Sequence, residues 1–269
     1  DEKIEDMTSD VVVVGGGGAG LAAAIAAGAD GATVTVIEKN GEVGGDTLVC
    51  GAIYNTPDEK LQKEVTMTDT VKTTVEKALS EKPVSDEHKA LQTEVKKQWD
   101  KYKADGRTDL FDSKEWYALQ TWINGDKVAN LDLVKKLCYD SYDAYEWIKD
   151  DLGMGFDDKI SQGAGSLWQR THTSTMKMGT GFISTYLDQI GAMDNVTIVT
   201  EATGKSLVKT DGKITGVVCT DRNGNEFTVT ANKGVVLSTG GFAANSKMVQ
   251  EYNTSGKWDD LSKLMTTNR

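Results

Sequence analysis

Four valines in a row, Val11 to Val14, lead into glycines, an alanine-rich run and then Val34-Thr-Val-Ile-Glu38. A short, unbroken apolar run predicts a strand buried on both faces. The alanine-rich run predicts a helix that Asp30-Gly31 closes, and a second strand ends at Glu38, so residues 10–38 read as β-α-β. From Pro57 to about Asp151 the pattern changes to charged helices. Leu61, Val65, Val71, Val75 and Leu79 fall broadly on one stripe that Pro83 interrupts, and Leu91, Val95, Trp99 and Tyr102 make a second. Leu133, Leu137, Ala144 and Ile148 make a third, with Cys138 and Tyr145 beside it. All three read as packing faces, as does the aromatic group Trp116, Tyr117 and Trp122.

Residues 153–181 return to glycine-rich loop, and a helix follows over about 182–190. Short strands are predicted over roughly 196–200, 205–210, 213–220, 226–230 and 234–238. Asp211-Gly212 and Asn223-Gly224 give hairpin turns, because the left-handed backbone they need is cheap for Gly and tolerable for Asn or Asp. The expected organisation is a polar tail at 1–9, an α/β domain from 10–56 and 152–269, and a helical insertion at 57–151.

The glycines carry the first chemistry. Gly15, Gly17 and Gly20 have the G-x-G-x-x-G spacing between a buried strand and a helix. The first permits a sharp turn, the second lets a pyrophosphate approach the main chain, and the third lets helix pack on strand. The phosphates then face the free N–H groups of a helix N-terminus. Glu38 lies 18 residues after Gly20, close to the position of the acid that hydrogen-bonds a ribose hydroxyl. The uncharged stretch 11–29 is not read as a membrane span or signal-peptide core. Six of its residues are Gly and seven are Ala, and Asp1-Glu-Lys-Ile-Glu-Asp6 is not a positive leader.

Composition narrows the partners. A net charge of −11 over 269 residues argues against nucleic acid and anionic lipid. Cys50, Cys138 and Cys219 form neither a disulfide framework nor a zinc motif, and with only His88 and His172 no histidine-rich metal centre is expected. His88 sits in a charged helical stretch and is expected to be solvated. Cys50 is read as a small buried residue rather than a reactive thiol. The chain starts without Met, so processing or the choice of segment leaves cytoplasmic and extracytoplasmic locations both open.

Two further glycine-rich segments complete the pattern: Gly41-Glu-Val-Gly-Gly-Asp-Thr47, running on to Cys50-Gly-Ala-Ile-Tyr-Asn55, and Ser238-Thr-Gly-Gly-Phe242 at the end of a buried strand. With Val-Ile-Glu-Lys at 36–39, the chain resembles the fumarate reductase and succinate dehydrogenase flavoproteins, in the soluble flavocytochrome c and urocanate reductase branch, from Asp10 to about Asn268. The resemblance implies a Rossmann-like FAD-binding domain of the glutathione reductase type, with a mainly parallel sheet, a β-meander and a helical insertion. It implies non-covalent FAD, with Gly15, Gly17, Gly18, Ala19 and Gly20 at the pyrophosphate, Glu38 at the adenosine ribose, and Lys39 among the cofactor-binding residues. Gly44, Gly45, Asp46 and Thr47 would lie near the phosphates and flavin, and Gly51, Ala52 and Ile53 under the isoalloxazine. Ala202 would meet the adenine, and Thr239, Gly240 and Gly241 would form the second glycine wall.

The resemblance also implies hydride transfer from flavin N5 to the C=C bond of an α,β-unsaturated carboxylate such as fumarate or urocanate. Electrons would come from a donor domain or protein carrying FMN, haem or reduced flavin. Ile53 departs from a common glycine, and Ser238 stands where the family has Ala. Arg170 and His172 resemble an Arg-x-His loop, read either as organisers of that loop, exposed to solvent, or as groups near the flavin or substrate carboxylate. The family's cap domain and proton-donating arginine would follow Arg269, so no catalytic residue is assigned and the chain alone is expected to be inactive. Leu264 to Asn268 reads as an interrupted linker. A non-catalytic FAD or electron-transfer module, an NAD-dependent dehydrogenase, and a flavin enzyme of the ketosteroid dehydrogenase or aspartate oxidase kind remain alternatives.

Overall fold

The computed structural model describes residues 3–254, 261 and 266. In chain order the elements are β1 (Met7–Val14), α1 (Gly18–Ala29), β2 (Val34–Ile37), β3 (Ile53–Asn55), α2 (Asp69–Ser80), α3 (Asp86–Ala104), α4 (Lys114–Asn124) and α5 (Leu131–Glu146). They continue with β4 (Phe156–Ser161), β5 (Thr171–Ser174), α6 (Thr180–Gly191), β6 (Val196–Val199), β7 (Thr203–Thr210), β8 (Lys213–Thr220), β9 (Glu226–Leu237) and α7 (Ser246–Tyr252). The chain divides into two compact units: Asp1–Ala52 with Met176–Arg269, and Ile53–Thr175. The reading of 264–268 as a linker lies outside the described residues, apart from Thr266.

The first unit is built on a six-stranded sheet of order β6-β2-β1-β9-β8-β7. β6, β2, β1 and β9 run parallel, and β9, β8 and β7 form an antiparallel meander. The four valines put β1 at the centre, with Val12 and Val13 wholly buried. Helix α1 packs on this sheet and against α6. The turn Asp211-Gly212 joins β7 to β8 with both residues at positive φ, as a type I′ hairpin requires. The two strands expected at 226–230 and 234–238 are a single strand. β9 pairs with β8 over Glu226–Thr230 and changes partner to β1 toward Leu237.

The second unit joins helices α2 to α5 to a small antiparallel sheet of order β3-β5-β4. Each helix begins at a polar cap: the side chains of Thr68, Ser85, Ser113 and Asn130 accept hydrogen bonds from the N–H groups of Val71, His88, Trp116 and Leu133. Such caps fix where each helix starts. Its core holds Val75, Leu91, Val95, Trp99, Trp116 and Leu119, with Trp99 stacked on Tyr102 at 5.0 Å.

Four expectations are corrected here. Leu61 and Val65 do not share a helix with Val75, because Thr68 caps a new helix and Leu61–Glu64 is a separate 3₁₀ turn. Residues 153–181 are not all loop, since β4 and β5 lie within them. Leu133 and Leu137 are 70% and 64% exposed, and α5 instead buries Leu131, Cys138 and Tyr145. His88 is fully buried rather than solvated: its Nδ1 accepts the N–H of Val84 at 3.3 Å and its ring packs edge-to-face with Trp122.

Candidate functional site

In the first unit, β1 ends at Val14 and the chain turns at Gly15, whose φ is +106°. A Cβ on Gly20 would stand 1.8 Å from the Gly15 carbonyl oxygen, so only glycine lets α1 begin this close to the turn. Gly17 differs. The nearest atom to a Cβ there is the Gly44 carbonyl oxygen at 3.9 Å, so the protein itself leaves that side open. Gly17 caps α1 without a side-chain hydrogen bond, and the first turn carries no acid. These features suit an anion held by main-chain N–H groups.

The 41–47 loop closes on this turn. Gly44 donates its N–H to the Gly16 carbonyl at 2.7 Å and pairs with Gly17, and the Gly18 N–H reaches Thr47 Oγ1 at 3.1 Å. Across the turn, the Glu38 carboxylate accepts the N–H of Gly16 at 2.8 Å and of Asn40 at 2.9 Å. The nearly buried Glu38 thus braces the glycine loop itself. Ala202, also buried, donates its N–H to the Glu38 carbonyl at 2.9 Å.

Between these segments lies a cleft of about 370 Å³. It brings together Gly15, Gly17, Gly18 and Ala19 from the glycine turn, Glu38 and Lys39 from the end of β2, and Gly45, Asp46 and Thr47 from the 41–47 loop. Ala202, Thr239 and Gly240 complete it. Gly20 and Gly44 support the cleft through the packing described above, and Gly241 lies in an adjoining shallow depression with Lys39 and Thr239. Asn40, Thr203, Gly204 and Ser238 also line the cleft and were missed as contacts, although each is within two positions of a residue that sequence reasoning selected.

Gly51, Ala52 and Ile53 are not among the cleft's lining residues. Ala52 is buried at φ +59°, a left-handed conformation at the second position of the turn that the resemblance reads as Ala-Gly-Gly. Ile53 belongs to β3 in the second unit, where Gly163 makes room for it: a Cβ on Gly163 would stand 2.9 Å from Ile53 Cδ1.

Arg170 and His172 also belong to the second unit, and neither is exposed as the loop reading expected. Arg170 is buried against Asp112 and lies 4.2 Å from the Tyr117 ring. Strand pairing carries His172 inward, with its ring centroid 4.0 Å from that of Tyr145. Burial pushes the His172 imidazole below its usual value, with Asp58 pulling the other way. Burial pushes the Cys138 and Cys219 thiols up to about 11, which keeps them protonated and unreactive. Among the described residues no group of three or more His, Cys, Asp and Glu is placed to hold a metal, and no helix is long and apolar enough to cross a membrane.

The sequence model of the FAD binding domain family matches residues 10–266. The chain belongs to the FAD binding domain family. This FAD binding domain is similar to the NADH:acrylate oxidoreductase of Vibrio harveyi, at 32% identity over 99% of this chain and 28% of that protein. It is also similar to the urocanate reductase of Eggerthella lenta, at 26% identity over 91% of this chain and 33% of the relative. The chain therefore spans about a third or less of these relatives, which are oxidoreductases by name. Its fold matches the open conformation of a flavocytochrome c3 fumarate reductase with a TM-score of 0.68 at 23% identity, over 94% of this chain and 37% of that one. FAD is the cofactor of the domain, and the open side of Gly17 at the start of α1 fits its pyrophosphate.

Proposed function

We propose that this chain is the cofactor-binding portion of a flavin-dependent oxidoreductase that reduces the C=C bond of an α,β-unsaturated carboxylate. The observation that carries the reading is the cleft joining the glycine turn, Glu38, Asp46-Thr47 and Thr239-Gly240 in one unit. Its support from kinship is that relatives bear the names of acrylate, urocanate and fumarate reductases. Bound FAD supplies hydride-transfer chemistry. The chain's own residues bind and orient: main-chain N–H groups at the start of α1 receive the pyrophosphate, Glu38 braces the turn and faces the ribose, and Thr47 ties the 41–47 loop to Gly18. Electrons arrive from a donor domain or protein carrying FMN, haem or reduced flavin.

The test has two stages. Purified chain is titrated with FAD and its visible spectrum recorded, with protein-bound flavin that denaturation releases as the expected result. The full-length gene product is then assayed with acrylate, urocanate and fumarate against a reduced dye. Turnover of one of them supports the proposal. A flavin-loaded full-length protein that reduces none of them would falsify the substrate class, and a chain that binds NAD but not FAD would overturn the cofactor reading.

A further inference from the structure

The peptide joining Gly15 to Gly16 is gripped at both ends. Its N–H donates to Glu38 Oε2 at 2.8 Å, and its C=O accepts the Ser238 hydroxyl at 3.1 Å. Because a peptide is planar, with C=O and N–H pointing to opposite sides, these two bonds together set its orientation. Glu38 follows β2 and Ser238 follows β9, the two strands that flank β1. The grip matters because the run Gly15 to Gly18 has no side chains to fix its own conformation.

Ser238 also lies close against two of the glycines. Its carbonyl oxygen stands 2.4 Å from where a Cβ on Gly15 would be, and its Oγ stands 2.7 Å from a Cβ on Gly20. The hydroxyl lies 3.0 Å from the Val14 carbonyl as well, but that oxygen already receives the Ser238 N–H at 2.9 Å. A hydroxyl has one proton to give, and of the two carbonyls the Gly15 oxygen is the one that does not already receive the Ser238 N–H.

We infer that Ser238 is a positioning residue for the phosphate cradle: its hydroxyl, acting opposite Glu38, holds the Gly15–Gly16 peptide in the orientation that aims the following N–H groups at the cofactor. The inference rests on the reading of the cleft as the FAD site. Loss of the hydroxyl leaves the Gly15 carbonyl without this donor and frees the peptide to turn, so FAD binding then has to order it.

The test uses the whole chain. FAD is titrated into cofactor-free wild type, Ser238→Ala and Ser238→Thr, followed by flavin fluorescence, and urea unfolding of each is measured without FAD. Ser238→Ala is expected to weaken FAD binding about five- to tenfold, the loss of one ordinary hydrogen bond. Ser238→Thr, which keeps the hydroxyl, should bind as wild type does, and all three should unfold cooperatively without FAD, with the Ser238→Ala midpoint lower by no more than the loss of one hydrogen bond. An Ala variant within twofold of wild type would overturn the inference. So would equal weakening in the Thr variant, or an Ala variant that is unfolded without FAD, since either makes the role one of general packing. No FAD binding by wild type would overturn the cofactor reading itself.

Discussion

Arg170 and Asp112 form a bidentate ion pair inside the second unit, with Nε and Nη2 each 2.9 Å from a carboxylate oxygen and both side chains almost wholly removed from solvent. Burial pushes the Asp112 carboxyl up, to about 6, against the pull of the guanidinium. Removing one partner strands the other in a low-dielectric interior. Arg170→Met is therefore expected to destabilise the chain by about 3–5 kcal/mol, whereas the joint Arg170→Met, Asp112→Leu variant loses much less. Urea unfolding checks both. A single variant within about 1 kcal/mol of wild type would show that the pair is dispensable.

His172 and His88 set a pH dependence of definite sign. Burial holds both imidazoles below the usual 6.5. Just below pH 6.5 the unfolded chain therefore binds more protons than the folded one, and stability present above 6.5 is lost as pH falls toward the folded values. The limiting loss is about 1.4 kcal/mol per pH unit for each imidazole. Asp112 works the other way. Its raised folded value means the folded chain takes up its proton first, which adds stability as pH falls through about 6 toward 3.8. Comparing His172→Phe with wild type removes the Asp112 contribution. The variant's unfolding free energy should fall less steeply between pH 6.5 and 5.5, and parallel profiles would refute the assignment.

The β-α-β unit, the 211–212 hairpin and the helix near 182–190 were legible because each depends on neighbours in sequence: a valine run, two turn residues, an apolar period. His88 was misread because its burial depends on Trp122, brought from another helix. The face of α5 was misread because Leu133-Leu137 and Leu131-Cys138-Tyr145 are both apolar at helical spacing, and only tertiary packing selects between them. Within the cleft, Glu38 and the glycines announce themselves by spacing. The hydroxyl of Ser238 does not, since its acceptors lie more than 220 residues earlier.

The choice of face on α5 has a measurable consequence. Leu137→Gln changes an exposed residue and is expected to alter stability by no more than about 0.5 kcal/mol. Leu131→Ala, on the buried face of the same helix, empties part of the core and should cost about 2–5 kcal/mol. Urea midpoints for the two variants would contradict this packing if their order were reversed.

Gly17 and Gly20 separate the two demands that the glycine turn makes. At Gly20 a Cβ would fall 1.8 Å from the Gly15 carbonyl, so Gly20→Ala forces α1 away from β1. It should lower stability by about 1–3 kcal/mol and weaken FAD binding together. At Gly17 nothing lies nearer than 3.9 Å and the backbone sits at φ −81°, which alanine adopts freely. Gly17→Ala should therefore fold with no more than about 1 kcal/mol lost, the cost of a poorer N-cap. Its methyl group would instead occupy the open side of the turn where the pyrophosphate approaches, and FAD affinity should fall by tenfold or more, about 1.4 kcal/mol. Paired urea unfolding and FAD titration of the two variants read these effects separately. If Gly17→Ala kept wild-type affinity, the pyrophosphate could not lie against Gly17.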